Sequence, residues 1–512
     1  MRHLFSLLLT IFCLSATSRT FNIKDMGAVG DGNHIDSDVI NKAIVMASGE
    51  GGGTVYIPSG RYACYSIRLK SNVTILTESG TVIVAARAQE GRGYDDAEPN
   101  PEPLYQDFGH SHWHNSLIWG DSIENVAICG QGLIDGSNLG RGLSRKGLSE
   151  GNKAIALRDC RNITLRDLRM LQCGHFALLA TGVDNLTIDN LMVDTNRDGF
   201  DIDCCKNVRI TQCSVNTPWD DAIVLKASYA LGNFRDTENV TISDCYVSGY
   251  DCGSMLDGTR TLTGALAPDG GGRTGRIKLG TESSGGFRNI AMTNCIFEHC
   301  RGLALETVDG GILEDVVISN ITMRHIVNSA IFLRLGARMR SPEGTPVGKM
   351  HRINISNINA YDVDSRYSSI ISGIPGSLIE DVSLSNINIY YQGGITTTDS
   401  IIPVSQAPWE KKSYKEPQTA KSSKSARKND SAVKAARPRS WLRDTLRVVN
   451  LNASVPEQID SYPEPWMFGI VPAKGLFLRH VKNLSIDNVN FYFEKEDDRP
   501  LIYKEDTPGL RM

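Results

Sequence analysis

A short phrase, an Asn or Asp followed by alternating apolar and polar residues, returns along this chain and leaves few folds open to it. It reads Arg161-Asn162-Ile163-Thr164-Leu165, Asp184-Asn185-Leu186-Thr187-Ile188, Lys206-Asn207-Val208-Arg209-Ile210, Glu238-Asn239-Val240-Thr241-Ile242 and Arg288-Asn289-Ile290-Ala291-Met292. Related phrases follow at residues 314–318, 352–355, 380–384 and 482–486. The closest copies start 22 to 23 residues apart, and wider gaps hold insertions. Self-similarity at that period is the mark of a solenoid, whose repeats cannot bury their apolar faces alone and stack on one another.

Alternation buries one face of each strand and exposes the other. Asn suits the corner before the strand, because it tolerates a left-handed backbone and its amide can bond to the Asn one coil away. Leucine-rich repeats share the period, but their Leu-x-x-Leu-x-Leu signature is missing and β-branched residues dominate. The expected fold is all-β: a single-stranded right-handed parallel β-helix. An amphipathic helix over residues 35–48 would cap the first coil, which would otherwise expose the apolar interior. Residues 406–444 break the composition, rich in Lys, Arg, Ser and Ala, and read as a disordered basic insertion. Strand phrases resume near Gly475-Leu476-Phe477-Leu478, so one domain over 19–512 is interrupted there, not ended.

A formal charge of −4 and mean hydropathy of −0.21 give no global attraction to nucleic acid or to an anionic membrane. Residues 1–18 read as a secretory signal: Arg2 and His3, an apolar run, then Ala16-Thr17-Ser18. The chain is therefore expected in the periplasm or outside the cell, as a monomer. Cys213, Cys245 and Cys295 occupy one place in the repeat, which suggests stacked, buried thiols over bridges. No Cys or His spacing suggests zinc, and no metal or cofactor is expected.

Two segments 22 residues apart carry the chemistry: Asn196-Arg197-Asp198-Gly199-Phe200-Asp201 and Asp220-Asp221-Ala222-Ile223-Val224-Leu225-Lys226. One coil apart, Asp198 and Asp220 stand on neighbouring strands about 4.8 Å from each other. Carboxylates so crowded cannot all ionise, so one can hold a proton near neutrality. Glycoside hydrolysis needs that pair of states: an acid for the leaving oxygen and a carboxylate for the water or the sugar.

These segments resemble the Asn-Thr-Asp-Gly-x-Asp and Asp-Asp-Cys-x-Ala-x-Lys motifs of glycoside hydrolase family 28, the polygalacturonases and rhamnogalacturonan hydrolases. Residues 21–86 look like the entry of the pectin-lyase-like β-helices. The resemblance implies an inverting hydrolase of pectic polysaccharide or oligosaccharide, with Asp220 as general acid and Asp198 and Asp221 activating water. It departs from the family twice. The Gly-His-Gly coil reads Gly249-Tyr250-Asp251-Cys252-Gly253, and the Arg-x-Lys slot holds Ala304 and Glu306.

Arg276 and Lys278, one coil earlier and two residues apart, are candidates for a relocated carboxylate clamp. Asn196, Asp201, His175 and Trp113 are further candidate substrate contacts, Trp113 by stacking on a sugar. The departures favour a rhamnogalacturonan-type or end-trimmed substrate over plain homogalacturonan. Long insertions after residues 87 and 258 would wall the cleft. Two alternatives remain open at this point: a pectic lyase, with calcium held by Asp198, Asp201, Asp203 and Asp221, or a carbohydrate-binding β-helix without chemistry.

Overall fold

A computed structural model describes residues 19–100, 105, 110–140, 149–263, 272–397 and 448–512. The signal expected at 1–18 and the disordered insertion expected at 406–444 lie outside the described residues. Each coil contributes strands to two parallel stacks, one of 23 and one of 12 strands. In one coil, Arg161–Arg166 and Arg169–Leu171 join the larger stack and Phe176–Thr181 the smaller. Every pairing between described strands is parallel, as in the β-helix that the period predicts. Further along, paired phrases fuse into single strands, Ile312–Ile326 and Lys349–Val363.

Register carries one apolar column up the interior: Ile163, Leu186, Val208, Val240, Ile290, Val316, Ile353 and Val382 are successive partners. All are buried, and each such side chain contributes roughly 1.5–3 kcal/mol of transfer free energy. The corners work as the Asn phrase implies. Asn72, Asn125, Asn162, Asn185, Asn207, Asn239 and Asn289 all have φ between 55° and 65°. From Asn125 onward, each amide donates to the preceding Asn at 2.7 to 3.1 Å.

The helix α1, Ser37–Gly49, closes the first coil with Ile40, Ala43, Ile44 and Ala47 facing inward. The eleven described cysteines are unbridged, and Cys213, Cys245 and Cys295 are buried in successive coils. After Thr397 the chain returns to both stacks: Leu476–Arg479 pairs with Ser369–Ser372, and Ser485–Phe493 with Ile379–Tyr391.

The smaller stack positions the site. Six of its successive strands are β1 (Phe176–Thr181), β2 (Asp198–Asp203), β3 (Ile223–Ala227), β4 (Ile277–Ser283), β5 (Leu303–Thr307) and β6 (Ile331–Leu335). Their outer face is covered from two sides. His110 and Trp113 lie over β1 and the strand before it, Trp113 packed on Ala156, Phe176 and Leu179 and His110 on Phe176. A strap, residues 455–473, lies over β5, β6 and beyond, its Met467, Phe468, Val471 and Ala473 packed on Ala304, Phe332, Ile370 and Phe477.

Candidate active site

Asp198 opens β2, while Asp220 and Asp221 lie in the turn before β3. The register pairs Phe200 with Ile223, so the residue alongside Asp198 is Asp221, and Asp220 stands one step outward. Gly199 allows the approach. Its N–H donates to the Asp221 carbonyl at 3.0 Å, and a Cβ there would meet the Ala222 carbonyl at 2.3 Å. One carboxylate oxygen from each of Asp198, Asp220 and Asp221 lies within 4.8 Å of the other two.

The three acids differ in their surroundings. Burial first, and then the neighbouring Asp220, push the Asp198 carboxyl well above the usual carboxylate range. Burial also works against charge on Asp221, but Lys278, Arg276 and Arg301 outweigh it and hold that carboxyl down at about 2. Asp221 is bonded by Arg276 Nε at 2.9 Å and lies 3.3 Å from Lys278 Nζ. Asp220 pairs with Arg197 at 2.8 Å, and both side chains remain partly exposed.

Behind Asp198 lies a buried network. Asp201 receives His110 Nε2 at 2.9 Å and Lys226 Nζ at 2.8 Å, and Lys226 also reaches Glu282 at 3.3 Å. Burial and the adjacent Lys226 oppose a charge on His110, yet Asp201 and Glu282 prevail and hold its pKa at about 9. On the other flank the strap brings in Glu464. Its carboxylate accepts from Arg276 at 2.5 and 3.2 Å, from Arg301 at 2.8 Å and from Asn328 at 3.3 Å. Lys278 approaches Glu306 at 3.5 Å, where burial, stronger than the pull of Lys278 and Arg276, raises the Glu306 carboxyl to about 7. Two groups of ligand atoms are close enough to share a cation, Asp198 with Asp220 and Asp221, and His110 with Asp198 and Asp201. Arg197, Lys226, Arg276 and Lys278 already supply positive charge to both.

Several expectations need correction. Trp113 is 2% exposed, its indole N–H bonded to Thr181 at 3.0 Å, so it braces the covering segment and offers no face to a sugar. Asp201 projects to the outer face but is fully buried under His110 and Lys226, out of a substrate's reach. Arg276 and Lys278 share a face as their spacing implies, but their charges are taken up by Asp221, Glu306 and Glu464. They are not an open clamp. His175 is buried, stacked on Phe176 with ring centroids 4.3 Å apart, and its Nε2 lies 3.3 Å from Arg197. Asn196 is half-buried, and its carbonyl accepts from the Trp219 N–H at 3.1 Å. Trp219 itself, next to the Asp pair, keeps part of its surface exposed.

Sequence reasoning passed over Arg197, Trp219 and Glu464. The first two stand inside the quoted motif and directly before the Asp pair, where they were visible. Glu464 is 188 residues from Arg276 and nothing local announces it.

Residues 20–166 match the family model described as rhamnogalacturonase A/epimerase, pectate lyase-like, and residues 105–249 match glycosyl hydrolases family 28. A probable polygalacturonase of Vitis vinifera is 23% identical over 400 residues, covering 74% of this chain and 75% of its own. The family 28 exopolygalacturonase of Yersinia enterocolitica superposes with a TM-score of 0.65 at 15% identity, over 97% of this chain and 79% of that one. The hyperthermoactive exopolygalacturonase of Thermotoga maritima gives a TM-score of 0.57 at 22% identity, over 73% and 87%. At these identities the structural likeness is one of fold.

Proposed function

We propose, for a chain that belongs to glycosyl hydrolase family 28, that it cuts a galacturonate-containing pectic backbone of the rhamnogalacturonan type, working from a chain end, by direct displacement with water. The observation that carries this reading is the meeting of one carboxylate oxygen from each of Asp198, Asp220 and Asp221 within 4.8 Å of one another, in different electrostatic settings. Asp220, the most exposed of the three, is the proton donor to the leaving oxygen. Asp198 is the base for the water, and Asp221, kept ionised by Arg276 and Lys278, orients it. Trp219 is the aromatic surface offered to a sugar ring.

The substrate class is supported by charge. Arg276, Lys278 and Arg301 are each buried against Asp221, Glu306 or Glu464, so among the described residues this flank presents no open cation to a uronate. A backbone that alternates acidic and neutral sugars fits such a flank better than homogalacturonan. End-on action is supported by the covers over both ends of the sheet. Export, from the signal-like residues 1–18, and a monomeric state belong to the same reading.

The test is mass spectrometry of products from homogalacturonan and rhamnogalacturonan oligosaccharides, with Asp220→Asn as control. New saturated reducing ends from rhamnogalacturonan alone, lost in the control, are expected. Unsaturated products would instead reveal a lyase. The short spacing of the acids favours a second stereochemical reading, since retaining enzymes hold their carboxyls about 5–5.5 Å apart. Proton NMR of the first product decides it: an inverted anomer is expected, and a retained one would replace the water step with a glycosyl-enzyme.

A further inference from the structure

We infer that Arg197 is the specificity-determining cation of the site: it exchanges Asp220 for the carboxylate of a uronate beside the bond to be cut, and the exchange arms Asp220 as proton donor. This rests on the assignment of Asp220 as general acid made above.

The argument starts from the basic residues around the acids. The side chains of Lys226, Arg276, Lys278 and Arg301 are only 7%, 2%, 3% and 3% exposed. Each is bound to carboxylates of the protein itself. Opening a buried pair leaves an uncompensated charge and costs about 3–5 kcal/mol. Arg197 differs, for its side chain is 29% exposed and that of its partner Asp220 is 25% exposed. Ion pairs with that much water around them are worth roughly 1 kcal/mol or less. Of the five cations, this is the one whose ion pair is open to water and to an incoming carboxylate.

Chemistry and position agree. A guanidinium presents a planar fork matched to a carboxylate, and a uronate can meet it with two parallel hydrogen bonds. Arg197 stands where the family motif carries Thr, so the cation is a feature of this chain. The imidazole of His175, held by stacking on Phe176, lies 3.3 Å from the guanidinium and keeps it at the site when Asp220 departs. One exchangeable cation on this side and a neutralised flank on the other suit a bond between an acidic and a neutral sugar.

The exchange also puts the proton where the reaction needs it. In the resting site Asp220 is paired to Arg197, while burial and the neighbouring Asp220 favour the protonated form of Asp198. That is the reverse of the working state. Once the uronate takes Arg197, the proton passes from Asp198 to Asp220, whose carboxylate oxygen lies within 4.8 Å of that of Asp198. Asp220 then gives it to the glycosidic oxygen as the bond to the anomeric carbon breaks. Water adds to that carbon and its proton goes to Asp198, which restores the resting state with one water consumed.

The experiment compares rhamnogalacturonan oligosaccharides with the same oligosaccharides carboxyl-reduced, so that galacturonate becomes galactose. The enzymes are wild type, Arg197→Gln, Arg197→Lys and Asp220→Asn, each with kcat and KM determined separately. Wild type should prefer the native substrate by at least about 50-fold in kcat/KM, as a site that loses a charged partner does. In Arg197→Gln the preference should fall to within about threefold, with the loss in kcat as well as KM, and Arg197→Lys should keep part of it. A misfolded variant would lose both substrates in proportion, so the ratio itself reports the role. An undiminished preference in Arg197→Gln, with Asp220→Asn inactive, would overturn this inference and leave the hydrolase reading standing. Full turnover by Asp220→Asn, or no cleavage of either substrate by wild type, would remove the acid assignment and this inference together.

Discussion

At the scale of single residues, the site is a set of charges whose states are fixed by what each is packed against. Asp198 and Asp221 are near neighbours of the same type, yet one is driven up by burial and Asp220 and the other down by Lys278 and Arg276. His110 shows the same principle in a base. Its folded pKa of about 9 lies above the ordinary 6.5. The stabilisation it provides is therefore fully present below about 6.5 and is lost as pH rises through about 9, on the order of 3 kcal/mol in all. The expectation is that wild type exceeds His110→Gln in unfolding free energy by an amount that shrinks by that order between pH 6 and pH 9.5. Chemical denaturation of both proteins at each pH checks it, and a difference constant with pH would show that His110 is neutral in the fold.

At the scale of elements, the coil corners and the strap hold for different reasons. The corner Asn residues adopt a left-handed backbone that costs other residues with a Cβ about 1–2 kcal/mol. In addition, each bonds to the Asn above or below. Asn185→Ala should lose both effects, about 2 kcal/mol, whereas Asn185→Gly keeps the backbone and should lose less. Equal losses in equilibrium denaturation would mean that φ at the corner is not what selects Asn.

The strap is fixed by charge. Glu464→Gln leaves Arg276 and Arg301 facing a neutral amide and should cost about 3 kcal/mol and expose residues 455–473 to protease. Exposed Asp460, mutated to Asn, should change neither. This contrast also marks how far the sequence could be read. The coils were legible because apolar alternation and corner Asn recur locally. The acids were legible because Asp198 and Asp220–Asp221 fall in adjacent coils. Glu464 was not, since its partners lie 188 and 163 residues away and only the folded strap brings them together. Trp113 was misjudged because a sequence does not show which face of an inserted segment turns inward.

At the scale of the whole molecule, a β-helix is a rod on which a polymer can lie lengthwise only where the outer face is bare. Here His110 and Trp113 cover β1 and the strand before it, and residues 455–473 cover β5, β6 and the next two. Between them β2, β3 and β4 are buried as well, Asp201 under His110 and Lys278 beside Tyr462 and Glu306, so no strand of this stretch is bare. The half-buried residues Asn196, Arg197, Trp219 and Asp220 lie together just before β2 and β3, so the entrance is a mouth beside the sheet. Under the end-on action proposed above, a chain end enters this mouth and the middle of a polymer does not. Hydrolysis of rhamnogalacturonan should accordingly release short products from the start, with reducing ends rising while solution viscosity stays nearly constant. Following both in one time course checks it. A steep early fall in viscosity would mean internal cuts, and would require at least one of the two covers to lift during binding.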